Sequence, residues 1–140
     1  MHFSTIELYN YGIYKGKHTV NLYNQQENKN ITLVGGMNGR GKTTLLDSIF
    51  LCLYGRKASE YITGKKEAYN KVLKDRINKS SEDKETYIKL TMEMDDDENT
   101  VISITRRWKQ NGKRIDTTLL VNKNGIEDDY LSENWEYYVE

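Results

Sequence analysis

Hydrophobic and polar positions change period several times along this chain, and the changes outline its elements. Residues 3–9 alternate, with Ile6 and Leu8 on one face, and predict a strand. Tyr11, Gly12, Ile13, Tyr14, Lys15 and Gly16 read as a glycine-punctuated loop. Alternation returns over residues 18–22, with Val20 and Leu22 inward, and residues 25–30 are a polar turn. Residues 31–35, opening Ile31-Thr32-Leu33-Val34, are continuously apolar, as in a central strand buried on both faces. Leu45, Leu46, Ile49, Phe50 and Leu53 then follow helical spacing. Leu51 and Cys52 widen that stripe, so the helix is expected to be covered on most sides, with Gly55 as its C′ residue. Residues 56–65 read as a polar loop. Ala68, Tyr69, Val72, Leu73 and Ile77 mark a second, amphipathic helix over residues 67–77, which the polar run 78–81 ends.

Beyond residue 82 the period becomes two. Ile88, Leu90, Met92 and Met94 alternate with Tyr87, Lys89, Thr91 and Glu93, predicting a half-buried strand. Asp95-Asp96-Asp97-Glu98-Asn99 makes a turn, and residues 101–109 form the next strand. Asn111-Gly112 predicts a type I′ hairpin, Ile115, Thr117, Leu119 and Val121 a third strand, and Asn124-Gly125 a further turn. Residues 131–140 read as the start of a helix that is cut short. The expected organisation is a single lobe over residues 1–140. It divides into a strand pair, glycine loop and helix (1–55), a loop and amphipathic helix (56–82), an antiparallel meander (83–126) and a helix start (127–140).

Composition narrows this picture. With 140 residues, one domain is the default. The 21 basic and 21 acidic residues cancel, so any nucleic-acid surface must be a local patch. At 36% apolar and 30% charged, the chain is lean for a self-contained core, and some covering surface is expected from elsewhere. Cys52 is the only cysteine, which excludes an intrachain disulfide and favours a reducing, cytoplasmic setting. Its apolar neighbours make it a buried structural thiol. No basic-then-apolar leader opens the chain, and no run approaches a membrane span.

The chemistry concentrates in residues 36–43, Gly36-Met37-Asn38-Gly39-Arg40-Gly41-Lys42-Thr43. This is a full G-x-x-x-x-G-K-[ST] loop between a predicted strand and a predicted helix. A chance match in a chain of this length arises roughly once in a few hundred sequences. Glycines let backbone N–H groups close around phosphate oxygens, and the helix N-terminus completes the anion nest. Lys42 is placed to reach the β- and γ-phosphates, and the Thr43 hydroxyl to ligate Mg²⁺. ATP with Mg²⁺ is the expected ligand. No other segment offers an apolar run ending in Asp-Glu, and no glycine-rich signature follows, so the water-activating carboxylate is expected from a second lobe. The absence of an Asn-Lys-x-Asp segment argues against a GTPase.

A second group is basic. Arg106, Arg107, Lys109, Lys113 and Arg114 cluster around Asn111-Gly112, and a DNA-contacting hairpin competes there with a merely solvated strand edge. Alternation places Arg106 with Trp108 on one face and Arg107 with Lys109 on the other, which weakens a continuous patch. The acidic run lacks the glycine and later glutamate of a calcium loop and reads as a solvated turn. His2 and His18 have no partners at ligand spacing.

Together, the opening strand and loop (residues 6–16), the loop and helix (residues 35–49), Leu53-Tyr54-Gly55 and the later meander resemble the first half of an SMC-like, ABC-type ATPase head. The strings are similar to those of SbcC-type repair ATPases, and closest to the DndD-type ATPases of bacterial DNA phosphorothioation (sulfur-modification) systems. The resemblance implies an α/β P-loop NTPase lobe with a mixed sheet and an antiparallel meander. It also implies a C-terminal half carrying the signature and hydrolytic acid, and ATP-dependent head-to-head homodimers. DNA and other modification or nuclease subunits are the implied partners, with no membrane. By the same resemblance Asn38, Gly39, Arg40, Gly41, Lys42, Thr43 and Thr44 contact phosphate, while Tyr11, Gly12, Ile13 and Tyr14 flank the adenine or ribose. Many relatives carry a basic residue where this chain has Gly12; Lys15 lies three positions on.

Overall fold

The computed structural model describes residues 1–22, 42–64 and 68–139, with the side chains of Lys42 and Thr43 left aside. Six strands form one sheet in the order β2-β1-β3-β4-β5-β6. They are β1 (His2–Tyr11), β2 (Tyr14–Asn21), β3 (Glu85–Glu93), β4 (Val101–Asn111), β5 (Arg114–Lys123) and β6 (Ile126–Glu127). Every pairing among the described residues is antiparallel. The mixed sheet expected from sequence needs the strand at 31–35, which lies outside the described residues. The helices are α1 (Lys42–Tyr54), α2 (Ser59–Thr63), α3 (Tyr69–Asp75) and α4 (Asp129–Tyr138).

Alternation divides the sheet into two faces. Ile6 pairs with Leu90, Leu90 with Ile104 and Ile104 with Val121, so one apolar row crosses four strands. A second row runs from Leu8 through Ile88 to Arg106. These residues face α1, which packs on β3 and β4, while α4 packs on β5. The opposite face is polar. There Tyr9 stacks on Tyr87 at 5.2 Å, and the Arg107 guanidinium lies 4.8 Å above the Tyr87 ring.

The end of α1 explains why helix, sheet and α4 hold together. The last carbonyls of a helix have no intrahelical donors. The Cys52 carbonyl accepts from Arg106 Nε at 3.3 Å and Nη2 at 3.1 Å, and the Leu53 carbonyl from Trp135 Nε1 at 2.9 Å. A cation at this end also complements the helix dipole. Gly55 follows with φ +55°, and a methyl group there would sit 2.9 Å from Arg106 Nη1, so the position needs glycine on two counts. Cys52 is buried with its thiol near the carbonyls of Ile88 (3.7 Å) and Ile104 (3.5 Å). Burial pushes that thiol up to about 12, partly opposed by Arg106.

Several expectations change. Residues 56–65 are not all loop: a 3₁₀ turn (Gly55–Ala58) and α2 occupy most of them. The second amphipathic helix shortens to the seven residues of α3. Asn111-Gly112 is not a I′ pair. Asn111 pairs with Arg114, so Gly112 and Lys113 are the central residues and only Gly112 has positive φ, as at the first position of a II′ turn. Asn124-Gly125 has both residues at positive φ and does match I′. The tail forms α4, which starts two residues earlier than expected, and its N-cap Asp128 accepts from Leu131 N at 2.9 Å. The α1 helix is covered on one side: Leu45, Ser48, Leu51 and Cys52 are buried, but Leu46 and Phe50 are 50% and 49% exposed.

Removing the Arg106 guanidinium leaves the Cys52 carbonyl unpaired inside the protein. Arg106→Ala is expected to lower unfolding stability by about 2–3 kcal/mol, and Arg107→Ala by less than about 0.5 kcal/mol. Urea melts of both variants check this; equal losses would contradict the assigned role.

Candidate nucleotide site

The glycine loop at 36–41 and the strand expected before it lie outside the described residues, but the helix that follows the loop is described. The thirteen-residue α1 begins at Lys42 and has no acidic residue in its first turn. Its leading N–H groups and dipole can therefore accept an anion without an acidic side chain in the same turn. Against this turn lies the β1–β2 hairpin. Tyr11 pairs with Tyr14, leaving Gly12 and Ile13 as the turn residues. Gly12 has φ +56°, and a methyl group on it would lie 3.0 Å from Thr44 Cγ2. The hairpin backbone thus closes directly on the first turn of α1, a cradle that a Cβ would crowd. Predicted residues far apart in sequence, Gly12 and Thr44, are brought together here. An anionic ligand with an uncharged end fits these residues. Lys42, Thr43 and Thr44 would hold its phosphates and Mg²⁺, which supply charge neutralisation, and the hairpin would border its nucleoside.

Tyr11 needs correction as an adenine contact. Its ring is 1% exposed and meets Trp108 edge-on at 6.1 Å. The cause is a β-bulge in β1: the register shifts between Tyr9 and Tyr11, with Asn10 at φ 50°. The extra residue turns both Asn10 and Tyr11 inward, where strict alternation would have pointed Tyr11 out. Asn10 tolerates this backbone and anchors it, accepting from Gly16 N at 2.7 Å and donating to Asp83 Oδ1 at 3.1 Å. An asparagine just before a Tyr-Gly turn was the available signal. Burial pushes the Tyr11 hydroxyl well up, with Arg76 opposing, and that hydroxyl has no hydrogen-bond partner among the described residues. Ile13, by contrast, is 62% exposed, and Tyr14 is half-buried with its ring 5.3 Å from His18.

Sequence reasoning missed the segment after α3. Gly12 N donates to the Arg76 carbonyl at 2.7 Å, and Asn78 Nδ2 donates to the Gly12 carbonyl at 2.9 Å. Asn78 N donates to the Asn10 carbonyl at 2.8 Å, and Tyr11 forms a bridge with Ile77. The Arg76 guanidinium lies 4.0 Å from Asp47 on α1. The Asp47 carboxyl is raised by burial, with Arg76 opposing.

The basic group separates. Arg106 is 6% exposed and committed to the Cys52 carbonyl, so it leaves the DNA-contacting set; its alternation with the buried Trp108 is the reason. Arg107, Lys109, Lys113 and Arg114 are exposed. Arg107 pairs with Glu85 at 2.8 Å and Arg114 with Asp116 at 3.0 Å. Among the described residues no cluster of three or more His, Cys, Asp or Glu could hold a metal, and no helix is long and apolar enough to cross a membrane.

The phosphate-loop sequence leading into α1 marks a P-loop NTPase, and the described antiparallel sheet and hairpin are compatible with that class. A family model for an AAA domain matches residues 5–139, and the chain belongs to that family, in its SMC-like branch of ATPase domains. No curated protein matched the chain.

The close approach at Gly12 can be weighed by a mutant cycle. Gly16 also has positive φ (+76°) but nothing within 4 Å of an added methyl group. Gly16→Ala is expected to cost about 1 kcal/mol from backbone strain alone, and Gly12→Ala about 1 kcal/mol more. Thr44→Ser, which removes Cγ2, should recover that extra loss in the double variant. Denaturant melts showing no recovery would contradict the contact.

Proposed function

We propose that the chain is the ATP-binding N-terminal lobe of a cytoplasmic, SMC-like DNA-processing ATPase, of the bacterial sulfur-modification or repair type. The observation that carries this reading is the closure of the Gly12 hairpin on Thr44 of α1, which joins the two predicted ligand-contacting segments. The phosphate motif supplies the cradle and Lys42 the cation. The Tyr11 side chain is excluded, so the nucleoside would meet Gly12 backbone, Ile13 and Tyr14.

Hydrolysis in this reading needs a C-terminal half with the signature and carboxylate, and dimerisation of two heads around ATP. The exposed stripe of Leu46, Phe50 and Tyr54, four residues apart on α1, supports a covering partner there. The lean composition supports the same view. DNA contact would run through Arg107, Lys109, Lys113 and Arg114, the cations that remain at the surface.

Isothermal titration of the chain with ATP–Mg²⁺ is expected to show weak binding without turnover. Lys42→Ala should weaken it about ten- to a hundredfold, the range for charge-assisted hydrogen bonds. Equal binding by both forms would overturn the nucleotide reading.

For DNA, the double variant Lys109→Ala/Lys113→Ala should bind duplex more weakly, with a salt slope shallower by about two ions. An unchanged slope would remove the hairpin from the interface.

A further inference from the structure

We propose that the segment following α3 is a clasp that positions the nucleoside side of the site, with Asn78 as its positioning residue. The inference rests on the nucleotide reading above. It begins from backbone accounting. Gly12 sits at the tip of a two-residue turn, where neither its N–H nor its carbonyl has a strand partner. Both are nevertheless satisfied by one segment: the N–H by the Arg76 carbonyl at 2.7 Å, and the carbonyl by Asn78 Nδ2 at 2.9 Å.

The clasp is itself held. Asn78 is buried, and its Oδ1 accepts from Ser80 N at 2.9 Å, so the amide orientation is fixed at both ends. Its backbone N–H reaches the Asn10 carbonyl at the bulge, 2.8 Å away. Arg76 extends the same segment to α1, 4.0 Å from Asp47. Three elements therefore share one set of polar contacts: the hairpin, the phosphate-loop helix and the end of α3. None of the clasp atoms needs to touch ligand.

The chemistry of the two ends of a nucleotide makes this separable. The phosphates belong to the helix N-terminus and glycine loop. The hairpin offers no cation at its tip, only Gly12 and the exposed Ile13, and so suits the uncharged nucleoside. Loosening the clasp should weaken recognition of the nucleoside and spare that of the phosphates.

The test is titration of wild type, Asn78→Ala and Asn78→Asp with ATP–Mg²⁺ and with tripolyphosphate–Mg²⁺. Asn78→Asp keeps the acceptor for Ser80 and loses the donor to Gly12. Both variants are expected to bind ATP about tenfold more weakly, while Asn78→Ala binds tripolyphosphate within about twofold of wild type. Equal losses for the two ligands, or none for ATP, would overturn the clasp while leaving the nucleotide reading intact. A wild type that binds neither ligand would overturn both. If the variants do not fold, amide exchange in the wild type decides: ATP should slow exchange at the Gly12 N–H more than tripolyphosphate does, and equal slowing would overturn the proposal.

Discussion

Two carbonyls at the end of α1 set the arrangement of the whole lobe. Cys52 and Leu53 end the helix with acceptors that water cannot reach and the helix cannot satisfy. The sheet answers one with Arg106, and α4 answers the other with Trp135. Both donors come from distant parts of the chain, so the helix is fixed against the sheet at a defined depth and rotation. Leaving either carbonyl unpaired costs far more than an ordinary surface contact contributes, which is why an arginine is retained in an otherwise apolar row. The fixed end in turn determines where the other end of α1 points.

That other end meets the β1–β2 hairpin, and here a bulge matters more than a side chain. The positive φ at Asn10 inserts one residue into β1 and turns Tyr11 into the core beside Trp108. Trp108 is held in turn by its Nε1 bond to the Leu73 carbonyl at 2.8 Å. The hairpin tip is thereby carried over the first turn of α1 rather than away from it. The helix that follows the phosphate motif is thus held at its C-terminus by a cation and an indole, and flanked at its N-terminus by a hairpin whose own backbone is held by the segment after α3.

Much of this was legible along the chain. The strands of the meander followed from strict alternation, and α1 from apolar spacing after a glycine loop. The Cys52 environment followed from its neighbours. The division of the basic group was also foreshadowed, because alternation had already placed Arg106 beside Trp108. Less legible were the short helix α2 and the early stop of α3. Seven residues with two buried side chains carry little periodic signal, and packing decides their limits. The II′ geometry at Gly112 was hidden because an Asn-Gly pair suits either register until the partner strand fixes it.

The sequence by itself determined the local features: the phosphate motif and the helix that follows it, the two-faced strands of the meander, and a composition too lean to cover every apolar stripe. These depend on residue type and near-neighbour spacing, which the chain carries explicitly. Only the tertiary structure decided which of the candidate residues share a site. It brought Gly12 to Thr44, withdrew Tyr11 and Arg106 into the core, and assigned Asn78 to the hairpin. The reason is physical: buried backbone groups must find partners, and which distant side chain supplies them depends on the three-dimensional path of the chain.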